Sequence, residues 1–139
     1  MPGINESKEF LPVQIAVLTV SDTRTLEDDK SGNILVDRLT SAGHVLADRR
    51  IVEDEQGEIE KALRGWIGDD SVDVILATGG TGVTGRDVTP EAFEAVYEKA
   101  IPGFGELFRW LSYQKIGTST VQSRATAGVA GGTYLFALP

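Results

Sequence analysis

Residues 77–91 read Ala-Thr-Gly-Gly-Thr-Gly-Val-Thr-Gly-Arg-Asp-Val-Thr-Pro-Glu and combine two chemically useful features. Gly79, Gly80, Gly82 and Gly85 place four glycines within seven residues, so the backbone can approach a ligand with no Cβ in the way. The N–H groups of such a loop can form a concave nest for an anion. Asp87 follows, just before Thr89-Pro90, a pair that reads as a helix N-cap and a proline at the first helical position. A phosphate-friendly loop and a fixed carboxylate in one segment suit a phosphorylated substrate handled with a metal ion. Plainer readings fit the same residues. A long turn can need glycines for its geometry, and the helix dipole favours an acidic residue at a helix start.

A second carboxylate, Asp54, lies in Val52-Glu53-Asp54-Glu55. The plain alternative there is a solvated acidic turn. Two carboxylates within ~4 Å repel by about 4 kcal/mol at an effective dielectric of ~20. A shared Mg²⁺ turns that repulsion into binding, typically using one or two carboxylates plus substrate phosphates. Ser21-Asp22, the run Asp28-Asp29-Lys30-Ser31-Gly32 and Ser123-Arg124 are weaker candidates. Ser31 reads as an N-cap, and a helix start there could hold an anion. Arg124 reads equally as a phosphate fork or as a surface ion pair. His44, the single histidine, falls at a strand start and receives no role. Gly80 to Gly85 matches G-x-G-x-x-G, but a dinucleotide fingerprint opens a helix at once in the first βα unit. Here the helix starts only near Pro90, so a nicotinamide-dependent oxidoreductase is poorly supported. A Walker A Gly-Lys-Ser/Thr is absent.

The elements that must position these groups alternate. Residues 13–20 are nearly all apolar, as expected of a strand covered on both faces. Ser31-Gly32 opens a helix carrying Ile34, Leu35 and Leu39, with Gly43 as its stop. Residues 44–52 form a weaker strand pattern. Ile59, Leu63, Trp66 and Ile67 recur at helical spacing before Gly68. Residues 72–78 read as a third strand. Phe93, Val96, Tyr97 and Ala100 form a third helical face, broken by Pro102-Gly103. Phe104, Leu107, Phe108 and Leu111 begin a fourth helix. Residues 117–132 read as a loop rich in Gly, Ser, Thr and Ala, and 133–138 as a last strand. Trp66, Trp110 and Phe104 read as core. This order argues for an α/β fold with a mostly parallel sheet. Its ligand site is expected beyond the carboxyl ends of the strands, after Val20, Val52, Thr78 and Leu138.

At 139 residues the chain fits one domain. It has no cysteine, which excludes disulfides, thiolate metal sites and a thiol nucleophile. Its net charge of −8 argues against a duplex nucleic-acid partner. A small phosphorylated ligand remains compatible. The polar start has no signal-peptide h-region, and no apolar run approaches the ~18 residues of a membrane span. A soluble, cytoplasmic protein is expected, with residues 1–12 as a flexible arm before the domain.

The ordered set Ser21-Asp22, Asp28 to Gly32, Val52 to Glu55, Thr78 to Gly82, Arg86 to Glu91, Pro102-Gly103-Phe104-Gly105-Glu106 and Ser123 to Gly128 resembles the MoaB/Mog family of molybdenum cofactor biosynthesis proteins. That family is related to the G domain of gephyrin. The likeness covers nearly everything from Val13 to the end, and Phe104 to Gly128 looks closer to the MoaB branch than to the Mog branch. The resemblance implies a three-layer α/β fold assembled as a homo-trimer or hexamer, with other proteins of the pathway as possible partners. It implies binding of molybdopterin and, in competent members, adenylylation of its phosphate by Mg-ATP with release of pyrophosphate. ATP and Mg²⁺ then act as co-substrate, with no tightly bound cofactor. The alternative is a non-catalytic molybdopterin-binding or scaffold protein. The family's functional aspartates fall on Asp54 and Asp87, as catalytic and metal-holding residues. Its substrate contacts fall on Ser21, Asp22, Gly79, Gly80, Thr81, Gly82 and Ser123. Many members have proline where Glu53 stands. The family continues past Leu138-Pro139 with a glycine-containing loop and a helix, so a domain over 13–139 is expected without them.

Overall fold

The first strand sets the layering. In the computed structural model, which describes residues 3–139, β1 (Gln14–Val20) is buried from Ile15 onward. Ile15 and Val17 pack with Leu39 on one face of the sheet, whereas Ala16, Leu18 and Val20 pack with Ile59, Leu63 and Phe93 on the other. A strand apolar on both faces requires cover on both. Helix α1 (Lys30–Ser41) covers the first face. Helices α2 (Gln56–Trp66) and α3 (Thr89–Val96) cover the second. The fold is therefore three-layered α/β.

The remaining strands are β2 (Val45–Val52), β3 (Val74–Thr78), β4 (Lys99–Ala100), β5 (Thr126–Ala130) and β6 (Thr133–Leu138). They join β1 in one six-stranded sheet of order β2-β1-β3-β6-β5-β4. The first four in that order run parallel; β5 pairs antiparallel with β6, and β4 pairs antiparallel with β5. Register places Val20 beside Val52, Thr19 beside Thr78 and Thr78 beside Leu138. The four carboxyl ends thus share one edge, and the loops that leave β1, β2 and β3 are neighbours in space.

Several details depart from expectation. The third helix stops at Val96, and Tyr97 is extended with ψ 135°. Residues 98–101 exchange helical hydrogen bonds for sheet bonds to β5, Glu98 N–H to Val129 O (2.9 Å) and Ile101 N–H to Ala127 O (2.8 Å). Pro102 also disfavours a helical conformation at the residue before it. It opens α4 (Pro102–Ile116), which is followed by a 3-10 turn (Gly117–Gln122). Residues 126–130 are strand rather than loop. Their turn into β6 uses Gly131 (φ 56°) and Gly132 (φ 80°), the two positive φ values of a tight hairpin. Trp66 is core at 2% exposure, but Trp110 is 63% exposed on the outer side of α4. Phe104 is half-buried against Phe136, ring centroids 5.2 Å apart.

The α1 cap is Asp29, not Ser31. Asp29 is 1% exposed. Its Oδ1 accepts the Gly32 N–H (3.0 Å), and its Oδ2 accepts the Thr19 hydroxyl (2.6 Å) and Arg49 (3.1 Å). The cap of α3 shifts likewise. Val88 is the N-cap residue and Thr89 is already helical. The expected arm falls partly on Met1 and Pro2, which lie outside the described residues. Further along it, Phe10 packs on His44 at 5.1 Å between ring centroids. The His44 Nδ1 accepts the Val13 N–H (3.1 Å), so this histidine anchors the entry to β1.

Candidate functional site

The glycine loop leaves β3 at the sheet edge and is locked from behind. Gly79 has φ 99° and Gly80 φ 68°, a region that other residues rarely adopt. A Cβ on Gly79 would collide with the Val20 carbonyl, and one on Gly80 with the Thr89 hydroxyl. Thr89 closes the loop. Its hydroxyl donates to Gly79 O (2.8 Å) and its N–H to Gly80 O (3.0 Å). This explains why Thr89 does not cap its own helix: its side chain is directed to the loop. Arg124 holds the other end. Its N–H donates to Thr81 O (3.0 Å), its Nε to Gly82 O (2.7 Å) and its Nη2 to Asp87 O (2.6 Å), while its Nη1 pairs with Glu91. Arg124 is therefore a staple within the protein rather than a free phosphate fork.

The two aspartates flank this loop. A Cβ at Gly82 would lie 2.8 Å from Asp87 Oδ2, and one at Gly80 would lie 3.3 Å from Asp54 Oδ1. Their electrostatics differ. Asp87 Oδ2 accepts the Thr84 hydroxyl (2.6 Å) and the Thr84 N–H (2.9 Å). Those hydrogen bonds, the hydroxyl's foremost, hold its pKa below the usual carboxylate value, with a smaller contribution from Arg124. Asp54 is shifted upward, first by burial, then by the charge of Asp22, with Asp87 adding to the rise and Arg86 opposing it. No hydrogen bond of normal geometry reaches the Asp54 carboxylate among the described residues. Asp22 is held below its usual value by the Asp54 N–H on Oδ1 (3.0 Å) and by Arg86 on Oδ2 (2.8 Å).

Ser21, Asp22, Asp54, Gly79, Gly80, Thr81, Gly82 and Asp87 thus gather at one edge, although they leave three different strands. Not all present a free side chain. The Ser21 hydroxyl accepts the N–H groups of Thr23 (3.2 Å) and Arg24 (3.1 Å), capping its own turn. Thr81 is 4% exposed. Ser31 shares a small recess with Ser21 and Gly79, so the start of α1 opens onto the edge. Ser123 lines a different hollow with Pro90, Ile101, Pro102 and Arg109, and its carbonyl accepts from Arg109 (3.2 Å). Thr84, Arg86 and Glu91 carry no chemical role in the sequence pattern, and Thr89 reads there only as a helix cap. Thr84 and Asp87 are three apart and form a local turn that spacing can reveal. The Arg86–Asp22 pair spans 64 residues and leaves no local signal.

An α/β sheet whose carboxyl edge combines a positive-φ glycine loop with two unlike carboxylates defines a small-ligand domain of the open-sheet class. Residues 16–139 match the family described as a "probable molybdopterin binding domain". The chain is 50% identical over 133 residues to molybdenum cofactor biosynthesis protein B of Escherichia coli (strain K12), spanning 96% of this chain and 78% of that protein. It superposes on a crystal structure of molybdenum cofactor biosynthesis protein B with a TM-score of 0.91 at 44% identity, covering 95% of this chain and 83% of that one. The tungsten cofactor synthesizing protein MoaB from Pyrococcus furiosus gives 0.82 at 37% identity, covering 92% and 82%. The chain belongs to the MoaB/Mog family of molybdenum cofactor biosynthesis proteins and carries its molybdopterin-binding type of domain.

Proposed function

We propose that this chain binds molybdopterin at the shared carboxyl edge and adenylylates its terminal phosphate with Mg-ATP. A phosphate oxygen of molybdopterin attacks the α-phosphorus of ATP, a new P–O bond forms, the bond to the β-phosphate oxygen breaks, and pyrophosphate leaves. The phosphate is already a nucleophile, so the edge needs alignment and charge neutralisation rather than a strong base. The observation that carries this reading is Asp54, a partly buried carboxylate beside Gly80 that accepts no hydrogen bond of normal geometry among the described residues and lies by the like charges of Asp22 and Asp87, with Arg86 opposing them.

A divalent cation fits that carboxylate. Among the described residues no three His, Cys, Asp or Glu side chains form a metal cage of their own. Mg²⁺ does not require one, because substrate phosphates and water complete its shell. Asp54 and Asp87 would hold it. Once bound, Mg²⁺ supplies charge neutralisation to the phosphates and to the leaving pyrophosphate. The Gly79–Gly82 backbone, Thr81 included, cradles phosphate oxygens, and Ser21 and Asp22 add substrate contacts in this reading, whereas Ser123 faces the neighbouring hollow. The chain works as a homo-oligomer, trimer or hexamer, in the cytoplasm. Leu107, Trp110, Leu111 and Ile116, all more than half exposed along α4, offer an apolar face of the kind that self-association covers.

The test is pyrophosphate release from Mg-ATP with and without molybdopterin. Release that requires molybdopterin and disappears in Asp54→Ala is the expected result. Tight molybdopterin binding without release would instead establish a non-catalytic binding or scaffold protein.

A further inference from the structure

Arg86 and Arg124 both lie at the ligand edge, in contrasting states. Arg124 is engaged through all three guanidinium nitrogens with Gly82, Asp87 and Glu91. Arg86 directs Nε (3.2 Å) and Nη2 (2.8 Å) at a single oxygen, Oδ2 of Asp22. Its Nη1 makes no hydrogen bond among the described residues, and its side chain is 61% exposed. Two guanidinium donors on one carboxylate oxygen leave the fork half used. The same donors match two oxygens of a phosphate. The edge also holds Asp54, Glu55 and Asp87, so a polyphosphate entering it requires a local cation in addition to any metal ion. Arg24 stands nearby, but its Nη1 is turned to the Asp28 carbonyl (3.1 Å).

We propose that Arg86 is a phosphate-binding residue of this site, held by Asp22 in the free chain and transferred to the phosphate of an incoming nucleotide or phosphate ester. The inference rests on reading the edge as a site for phosphorylated substrates. An exposed ion pair is weak, so the transfer meets little resistance. Asp22 stays in place during it, because its Oδ1 keeps the Asp54 N–H (3.0 Å). The freed Oδ2 then lies beside Asp54, available to water or to a cation that arrives with the phosphate. Asp22 thereby acts as a stand-in for the ligand.

Titration calorimetry on the full chain tests this with tripolyphosphate, Mg-ATP and inorganic phosphate as separate probes. Arg86→Ala should weaken tripolyphosphate binding about tenfold, the size expected for losing charge-assisted hydrogen bonds. Arg86→Lys, which keeps the charge without the fork, should fall between the two. Asp22→Asn should act in the opposite direction and tighten binding, and that gain should shrink in the Arg86→Ala background. Loss confined to tripolyphosphate and Mg-ATP assigns Arg86 to the nucleotide. Equal loss for inorganic phosphate extends the role to any phosphate monoester. The inference is overturned if wild type does not bind tripolyphosphate, or if Arg86→Ala binds it as wild type does. It is also overturned if Asp22→Asn weakens binding as Arg86→Ala does, which marks a structural clasp, or if Arg24→Ala weakens it as much, which marks nonspecific charge. A melting curve establishes that each variant is folded, and Arg86→Lys decides if Arg86→Ala is not. Molybdopterin-dependent pyrophosphate release with unaltered binding in Arg86→Ala would sink this inference and leave adenylylation standing. Arg86-dependent binding without release would do the reverse.

Discussion

Asp54 and Asp87 flank the same glycine loop, yet their surroundings are opposite in kind. Asp87 is completed by the protein: Thr84 supplies two hydrogen bonds to its carboxylate, and Arg124 fixes its backbone. Asp54 is positioned through its N–H by Asp22, while its carboxylate is left among like charges. One half of the edge is thus prebuilt, and the other is electrostatically incomplete until something positive arrives. The difference separates a carboxylate that the protein already holds in place, Asp87, from one that it leaves open to a ligand, Asp54.

The largest effects expected from breaking this contrast are on turnover. Asp54→Asn and Asp87→Asn should each lower molybdopterin-dependent pyrophosphate release by about 100-fold or more, the scale of losing one electrostatic contact to a reacting phosphate. Molybdopterin binding, measured by fluorescence titration, should survive in Asp87→Asn. If both activities fell together, Asp87 would be a structural residue of the loop.

Next in size is the difference between the two arginines. Arg124→Ala removes contacts to Gly82, Asp87 and Glu91 and leaves Glu91 without its partner. It should cost about 2 kcal/mol, seen as a melting temperature lower by roughly 8 °C. Arg86→Ala removes one exposed ion pair and should cost less than about 0.5 kcal/mol. Equal losses in the two variants would erase the distinction between a staple and a mobile cation.

How much of this was legible in the sequence depends on the range of the interactions. The apolar run of β1 showed on its face that the sheet is covered on both sides, and Gly79 and Gly80 marked the loop. Asp54 and Asp87 were legible as strand-end carboxylates, because topology alone brings such ends together. The end of α3 was not, since Phe93, Val96, Tyr97 and Ala100 keep helical spacing while sheet bonds from β5 take over at Glu98. Strand β5 itself reads Thr-Ala-Gly-Val-Ala, a weak strand composition set in place by its neighbours. The Gly131-Gly132 pair before the last strand was a usable hairpin signal. Trp110 was misjudged because an apolar helical face is assumed to turn inward. Arg124 reaches Gly82 over 42 residues, and Arg86 reaches Asp22 over 64. Spacing carries no trace of either.

The smallest expected effect is the most direct test of the contrast, because it concerns sign. The Asp87 pKa is depressed by folding. Its ionisation therefore stabilises the fold above the unfolded-state pKa, and that stability is lost as pH falls through the folded value. The Asp54 pKa is raised. Its ionised form therefore destabilises the ligand-free fold, with the full penalty above the folded value and none below the unfolded one. Thermal melts of Asp87→Asn should show a loss of about 1 kcal/mol at neutral pH that shrinks toward acid. Melts of Asp54→Asn at neutral pH should instead show a gain of a few tenths of a kcal/mol, which also vanishes toward acid. Added Mg²⁺ with tripolyphosphate should reverse the sign for Asp54 by stabilising wild type over the variant, since only the carboxylate gains from a bound cation. A wild type more stable than Asp54→Asn in the absence of any ligand would mean that the protein already satisfies this carboxylate, and the two halves of the edge would no longer differ in kind.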